Sequence, residues 1–184
     1  MAGDAGRRLV TPARVAGAGA GVLAFVLYVL TLAPTILYYT DEMKDSAVLP
    51  AIAYVLGISH PTGYPTYTIL THLFTYLPIG DVAYRVNLAS AVFGALAVVA
   101  LYAVGLRLGG SILAALFGAL AFGASPLFWS QAVIAEVYTL HVLFLAAALL
   151  VLLVWREERK DGYLLLAAFV LGLSMTHHLT SGLL

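Results

Sequence analysis

Three carboxylates and a histidine lie in one polar stretch of a largely apolar chain. Asp41, Glu42 and Asp45 fall within five positions, and His60 follows beside Pro61. Carboxylates so grouped could act as a general base, bind a divalent metal ion or stabilise positive charge in a transition state. An ordinary solvated loop can carry the same residues, so their spacing alone does not decide. His60 could orient a substrate or a carboxylate, although a lone loop histidine is more often structural.

Further ionisable residues stand at the ends of apolar runs. Arg85 carries a planar, permanently charged guanidinium that suits a phosphate group, or its side chain could simply extend to the membrane interface. Glu136 and His141 flank the start of a later run, and His177 and His178 lie deep in the last one. Ionisable groups at membrane depth are costly and tend to mark a site. No paired zinc-ligand spacing such as HExxH is present, so zinc hydrolysis is not expected.

The composition identifies the kind of protein that must hold these residues. Of 184 residues, 62% are hydrophobic and only 10% are charged, whereas a soluble domain carries about 25% charged residues. The formal net charge is zero, which gives no basic surface for nucleic acid. The absence of cysteine excludes disulfides and thiolate metal sites. We therefore predict an all-α polytopic membrane protein.

About 20 apolar residues cross a bilayer, and the chain contains five such runs. They are residues 16–38, 82–106, 111–128, 137–154 and 163–184. Because the last run is still apolar where the sequence stops, we expect a fragment of a longer protein. The alternative is a complete protein of five spans.

The basic residues predict the orientation of these spans. With alternating spans, seven of them fall on one side: Arg7, Arg8, Arg14, Arg107, Arg156, Arg159 and Lys160. Only Lys44 and Arg85 fall on the other side. By the positive-inside rule the amino terminus is cytoplasmic, and the long first loop is extracytoplasmic. We expect a multi-pass protein of the cell membrane, in contact with membrane lipid.

The first loop, residues 39–81, is long enough to need a function of its own. Residues 45–57 and 66–77 are predicted to form two short juxtamembrane helices. In the second, Thr68 and Thr71 share one face while Ile69 and Leu73 share the other. This pattern predicts an amphipathic helix lying at the membrane surface, too short to span.

Seven strings, in order along nearly the whole chain, resemble a known family. They are Leu32-Ala33-Pro34-Thr35, Asp45-Ser46, Leu56-Gly57-Ile58-Ser59-His60-Pro61-Thr62-Gly63-Tyr64-Pro65, Gly80-Asp81-Val82-Ala83-Tyr84-Arg85-Val86-Asn87, Ser125-Pro126-Leu127-Phe128-Trp129-Ser130-Gln131-Ala132, Ala135-Glu136-Val137-Tyr138 and His178-Leu179-Thr180. The chain resembles the N-terminal part of the bacterial and archaeal membrane proteins labelled DUF2723. Those proteins are similar to the eukaryotic O-mannosyltransferase that modifies plexin-type receptors.

The resemblance implies a glycosyltransferase of the GT-C type, with many spans and an acidic active-site residue in the first outer loop. The donor would be a sugar on a polyprenyl phosphate, and the acceptor a hydroxyl of a protein or a glycan. A carboxylate would deprotonate or orient that hydroxyl, and a basic group would steady the departing phosphate. No cofactor is implied with certainty, and a divalent metal ion is possible.

The resemblance also assigns roles to residues. The family's Asp-Ser-Gly-Glu has become Asp45-Ser46-Ala47-Val48 if the loop is aligned backward from His60. Aligned forward from Pro34, Asp41 and Glu42 fall close to the acidic position instead. Asp41 and Asp45 are therefore both candidate bases, and Glu42 is a third.

The substrate-binding residues implied are Arg85 for the phosphate, with His60, Glu136 and His178. His178 matches a family His-Leu-Thr string, whereas His177 matches no family position.

Two other functions fit an apolar chain with acids and histidines. A carrier could use them as a proton relay, but carriers place such groups near the middle of the membrane and show internal repeats, which we do not find. A non-catalytic subunit of a membrane assembly is the third interpretation, and it gains weight if 184 residues is the natural length.

Overall fold

A computed structural model describes residues 2–37, 45–61, 63–178 and 180, with side chains from residue 12 onward. Every regular element in this part of the chain is a helix. The helices are α1 (Ala2–Leu30), α2 (Asp45–Val55), α3 (Pro65–Phe74), α4 (Val82–Arg107), α5 (Ile112–Gly123), α6 (Pro126–Ala132), α7 (Tyr138–Glu158) and α8 (Asp161–His177).

Three segments are long and apolar enough to cross a membrane: Pro12–Leu30 of α1, α4 and α7. α5 and α6 pass the same test together, although they are bent by 66° at the break between them, so they form a fourth span if counted as one. The prediction of an all-α polytopic membrane protein is confirmed.

Two predicted spans have different bounds in the structure. The first, predicted to reach residue 38, ends at Leu30, because the amide of Ala33 donates to the carbonyl of Val133 (2.9 Å) and Pro34 disfavours helix in the residue before it. The third, predicted as one run over 111–128, breaks where Ser125 caps a new helix that begins with Pro126.

The fifth predicted span, 163–184, contains most of α8. This helix has 17 residues and ends at His177, so it is shorter than the helices that qualify as spans. Residue 179 and residues 181–184 lie outside the described part of the chain.

α4 is the central helix and contacts α1, α2, α3, α5, α6 and α7. Small residues permit close approach: a Cβ added to Gly21 of α1 would lie 2.5 Å from Cγ2 of Val99. Tyr28 of α1 donates from its hydroxyl to the carbonyl of Gly123, at the break between α5 and α6 (2.8 Å). This bond satisfies a carbonyl that the bent helix leaves without an intrahelical donor.

Two ion pairs lie at the end of the bundle where α4 and α7 stop. Arg107 at the end of α4 forms an ion pair with Glu157 at the end of α7, and Lys160 contacts Glu158 nearby (2.7 Å). We call this end the Arg107 side and the opposite end, where α4 begins, the Asp45 side. The predicted grouping of Arg107 with the basic residues that end α7 is therefore present.

α2 and α3 form a helical pair on the Asp45 side. The hydroxylated face of α3 points into the protein, where Thr68 and Thr71 are buried, while Ile69 and Leu73 are 59% and 61% exposed. A soluble protein would bury the opposite face. The structure therefore turns Ile69 and Leu73 away from the protein, toward the space that lipid fills in a membrane, whereas Leu70 and Phe74 pack against the core.

Candidate functional site

Asp45 opens α2, where a carboxylate is favoured by the dipole of the helix. The hydroxyl of the next residue, Ser46, accepts a hydrogen bond from the amide of Leu37 (3.2 Å), which ties the start of α2 to the chain leaving α1. The Asp45 side chain is 30% exposed, and its Oδ1 lies 3.8 Å from Nδ1 of His60. The acid is thus held near a histidine and still reached by solvent.

His60 is presented by the turn between α2 and α3. The turn is closed by a hydrogen bond from the amide of Gly63 to the carbonyl of His60 (2.7 Å). Nδ1 of His60 lies 3.3 Å from Oγ of Ser59, and Nε2 lies 3.5 Å from the hydroxyl of Tyr64. Both ring nitrogens therefore face side-chain oxygens.

Tyr64 joins this turn to the end of α8. It precedes Pro65, the first residue of α3, and is nine-tenths buried. The centroid of its ring lies 5.3 Å from that of His60, 6.1 Å from that of His178 and 6.2 Å from that of His177. One aromatic ring thus contacts three of the five histidines.

Glu136 lies in the link between α6 and α7 and is 6% exposed. Its amide donates to Oγ of Ser90, whose hydroxyl donates back to the Glu136 carbonyl (both 3.3 Å). Burial, together with the nearby charge of Asp45, raises the pKa of the Glu136 carboxyl to about 7. The site therefore holds two acids in different environments, one buried and one partly exposed.

Tyr67 is fully buried near these acids, and its hydroxyl has no hydrogen-bond partner among the described residues. Its pKa is raised by burial and by the charges of Glu136 and Asp45. Its ring stacks on that of His177, with centroids 6.0 Å apart. Tyr67 thus connects the acids to the histidines.

The histidines meet where α7 begins and α8 ends. Nε2 of the fully buried His177 lies 2.9 Å from the carbonyl of Val137. Because a carbonyl only accepts, Nε2 carries the proton, and Nδ1 is left without a partner among the described residues. His141 and His178 share the hydroxyl of Thr180, at 3.2 Å and 2.7 Å.

We call this group the Asp45 cluster; its members are Asp45, His60, Tyr64, Tyr67, Glu136, His177 and His178. Four of the predicted site residues belong to it: Asp45, His60, Glu136 and His178. Tyr64, Tyr67 and His177 were given no role from the sequence. The contact between His177 and Val137 joins residues 40 positions apart, which one sequence cannot reveal.

A second polar group on the same side, the junction cluster, comprises Thr35, Asp81, Arg85 and Asn87. The Thr35 hydroxyl donates to Oδ2 of Asp81 (2.5 Å), and Oδ1 of Asp81 caps α4 by accepting from the amide of Tyr84 (2.7 Å). These two bonds lower the pKa of Asp81. The buried Asn87 donates from Nδ2 to the carbonyl of Ala33 (3.0 Å).

Arg85 also belongs to the junction cluster. Its guanidinium donates to three carbonyls that follow α3: to Ile79 from Nε (2.7 Å), to Thr75 from Nη1 (2.7 Å) and to Gly80 from Nη2 (2.9 Å). Three of its five N–H groups are thus engaged with backbone, and two remain for another acceptor. The predicted phosphate contact stays a prediction, and these contacts link Arg85 to the 75–80 segment rather than to Asp45.

Asp41 and Glu42 lie outside the described residues. Within the described part of the chain, no group of three or more histidine, aspartate or glutamate side chains is arranged to hold a metal ion. The divalent metal ion therefore stays a prediction.

Comparisons with known proteins place these residues in a family. A family model described as the N-terminal domain of protein O-mannosyl-transferase TMEM260 matches residues 45–184. The matched range begins at Asp45, so it includes the whole Asp45 cluster, whereas Asp41 and Glu42 precede it.

Two curated relatives carry the same name. The Mus musculus protein O-mannosyl-transferase TMEM260 is 36% identical over 141 residues, which cover 74% of this chain and 20% of that protein. The Dictyostelium discoideum protein O-mannosyl-transferase tmem260 is 27% identical over 133 residues, covering 71% of this chain and 16% of that protein. The chain thus spans about a fifth of the length of these relatives. The expected grouping with bacterial and archaeal proteins stays a prediction, and no solved structure matches the chain.

Proposed function

Since this chain belongs to the protein O-mannosyl-transferase TMEM260 N-terminal domain family, we propose that it forms the N-terminal part of a membrane glycosyltransferase. The enzyme transfers mannose from a polyprenyl-phosphate donor to a hydroxyl of a protein, with a glycan hydroxyl as the alternative acceptor. Its site lies on the Asp45 side, which faces the extracytoplasmic space of the cell membrane, and its amino terminus is cytoplasmic.

In the proposed reaction, Asp45 is the general base. Its carboxylate takes the proton of the acceptor hydroxyl while the oxygen forms a bond to the anomeric carbon. The bond from that carbon to the phosphate oxygen breaks, and the phosphate leaves with the electron pair, inverting the anomeric centre. Asp41 and Glu42 are the alternative bases.

The observation that carries this proposal is the pairing of Asp45 with the buried Glu136. Asp45 is partly exposed at a helix start, whereas Glu136 is buried and has a pKa of about 7. A carboxyl group whose pKa is raised by burial, close to a second carboxyl group that solvent reaches, is typical of acid–base sites. Asp45 then accepts the proton, and Glu136, with His60 and His178, contacts the sugar or the acceptor.

Arg85 is the proposed phosphate ligand through the two N–H groups that its backbone contacts leave over. Membrane lipid surrounds the exposed face of α3 and delivers the donor to this level of the bilayer. A divalent metal ion near Asp41, Glu42 and Asp45 is a further proposal. The carrier function receives no support, because Asp45 and Glu136 lie outside the candidate spans and neither relative is named as a carrier.

The proposal is tested with the protein at its natural length in lipid vesicles. Radiolabelled mannose on a polyprenyl phosphate is supplied with serine- and threonine-containing peptides, with and without a chelator. Changing Asp41 and Asp45 together to Asn should abolish transfer, because both candidate aspartate bases are lost, while the protein inserts normally. Transfer that persists in this double variant removes the base assignment, and a wild-type protein without any transfer removes the proposed function.

A further inference from the structure

Three residues other than glycine adopt positive φ in the described part of the chain: Leu56, Tyr64 and Arg159. Leu56 follows the end of α2 and Arg159 follows the end of α7, where left-handed residues commonly terminate helices. Tyr64 instead precedes a helix, with φ 45° and ψ 48°, and its side chain makes no capping bond. Residues at such positions normally adopt an extended backbone.

The left-handed backbone at Tyr64 is unfavourable for a bulky side chain. Unfavourable conformations of this kind persist where the surrounding structure imposes them, and they concentrate at functional sites. Here Gly63, with φ 91°, and Pro65 at the start of α3 enclose the residue. The backbone of Tyr64 is therefore constrained by both of its neighbours in the chain.

The left-handed backbone conformation of Tyr64 directs its side chain toward His60. The Tyr64 hydroxyl lies 3.5 Å from Nε2 of His60, and the two rings meet edge to face. The other nitrogen of the imidazole, Nδ1, lies 3.3 Å from Oγ of Ser59 and 3.8 Å from Oδ1 of Asp45. Tyr64, His60 and Asp45 thus form a series of neighbouring side chains, in which His60 lies between the other two.

We infer that Tyr64 is a positioning residue that acts on Asp45 through His60, an inference that rests on the proposed function. When the Tyr64 hydroxyl donates to Nε2, neutral His60 must carry its proton on Nδ1, on the side of Ser59 and Asp45. That N–H lies on the side of one Asp45 oxygen, 3.8 Å away and beyond hydrogen-bond distance in this structure, and leaves the other oxygen for the acceptor hydroxyl. Contacts that are long without substrate shorten when substrate binds.

The chain offers a matched control for this arrangement. Tyr76, two residues after the end of α3, has its hydroxyl 2.9 Å from Nε2 of His72 on that helix, and Nδ1 of His72 lies 2.8 Å from the carbonyl of Ala53. This second tyrosine–histidine pair has a backbone carbonyl in the place where the first pair has a carboxylate. Tyr76→Phe therefore removes the same kind of contact without affecting an acid.

The test uses the protein at its natural length, which transfers mannose if the proposed function holds. Tyr64→Phe keeps the buried ring and should lower kcat about 10-fold or more, with the donor KM unchanged, because misoriented groups slow the chemical step rather than binding. Tyr76→Phe should leave both constants unchanged. Size-exclusion profiles and Tm confirm that each variant folds.

A double-variant cycle separates positioning from packing. His60→Asn keeps an N–H donor near Asp45 but removes Nε2, so adding Tyr64→Phe to it should cost nothing more. If Tyr64→Phe lowers kcat equally in both backgrounds, changes only the donor KM, or leaves wild-type rates, the positioning role is wrong. A wild-type protein that transfers no mannose refutes the proposed function instead, which keeps the two failures distinguishable.

Discussion

The junction cluster and the Asp45 cluster lie on the same side of the bundle, yet their polar atoms make different contacts. In the junction cluster, Asp81 and Arg85 bond at 2.5–2.9 Å, mostly to backbone groups. In the Asp45 cluster, His60 meets other side chains at 3.3–3.8 Å, and Nδ1 of His177 is buried without a partner among the described residues. Asp81 and Arg85 are thus fixed by short hydrogen bonds, whereas His60 makes only longer contacts among the described residues. The junction cluster is not fully bonded either, since Oδ1 of Asn87 is buried without a partner among the described residues and Arg85 keeps two N–H groups.

This difference separates structural from chemical roles among residues of the same types. A side chain whose hydrogen bonds are complete stabilises the fold, whereas grouped ionisable side chains with bonding capacity left over can bind and transform a substrate. The resemblance in sequence covers both clusters, so it could not distinguish them. The hydrogen bonds of their charged side chains distinguish the two clusters.

Substituting Asp45 and Asp81 separately tests the comparison between the two clusters most directly. Asp45→Asn should lower kcat by about 100-fold or more, because a positioned base contributes roughly 10²–10⁴-fold. Asp81→Ala should keep most of the activity but lower stability by about 1 kcal/mol through loss of a helix cap. Initial rates and Tm, measured on the same preparations, decide, and the opposite pattern would falsify the division into two clusters.

Arg85 tests whether one residue serves both roles. Arg85→Lys cannot span three carbonyls, so we expect a loss of about 1–3 kcal/mol in stability, since bonds to charged groups are worth about that much. If the leftover N–H groups bind phosphate, the donor KM should also rise about 10-fold while the acceptor KM stays the same. An unchanged donor KM removes Arg85 from the phosphate site.

Glu136 gives a pH-dependent prediction. Its pKa rises from an ordinary 4.5 to about 7 on folding, so between these values the folded protein holds a proton that the unfolded chain releases. Stability from this group is therefore present at low pH and lost as pH rises to about 7. Glu136→Gln should match the wild-type Tm at pH 5 and exceed it increasingly up to pH 7.

The control for Glu136 is Glu158→Gln on the Arg107 side, where the carboxylate is exposed and contacts Lys160. That variant should show no gain in Tm over the same pH range. A Glu136→Gln curve parallel to wild type would mean that the buried carboxyl is ionised throughout.

The smallest effect concerns the surface beside the Asp45 cluster. Ile58, in the turn after α2, is 92% exposed although it is apolar. If this turn enters the bilayer, an environment-sensitive fluorophore on Ile58→Cys should shift to the blue in lipid vesicles, with transfer unaffected. The same label on Asp161→Cys, at the exposed start of α8, should not shift, and equal emission from both would place the turn in water.

The helices were predictable because hydropathy and length act locally along the chain. The run from 111 to 128 was predicted to be one span because nearly all of its residues are apolar. The helix break that Pro126 indicates was given less weight than that pattern. The early end of α1 depends on Val133, about 100 residues away, which no local pattern contains.

The site was predictable only in part, for a similar reason. Asp45, His60 and Glu136 stood out as ionisable residues near apolar runs. Tyr64 is distinguished by its backbone angles, and His177 by its contacts with α3 and with the start of α7. Neither property can be read from the sequence. The role of Arg85 remained open because membrane interfaces, phosphates and carbonyls all attract a guanidinium.

The bend between α5 and α6 has a consequence for how the protein is made. At 1.5 Å per residue, the 12 residues of α5 reach about 18 Å, well short of the roughly 30 Å of hydrocarbon. α5 alone is therefore too short to span, and a crossing at this place needs α6 as well, which sets the break between them within the apolar layer. There the hydroxyl of Tyr28 satisfies the Gly123 carbonyl, so we expect stable insertion of the bent pair to depend on α1.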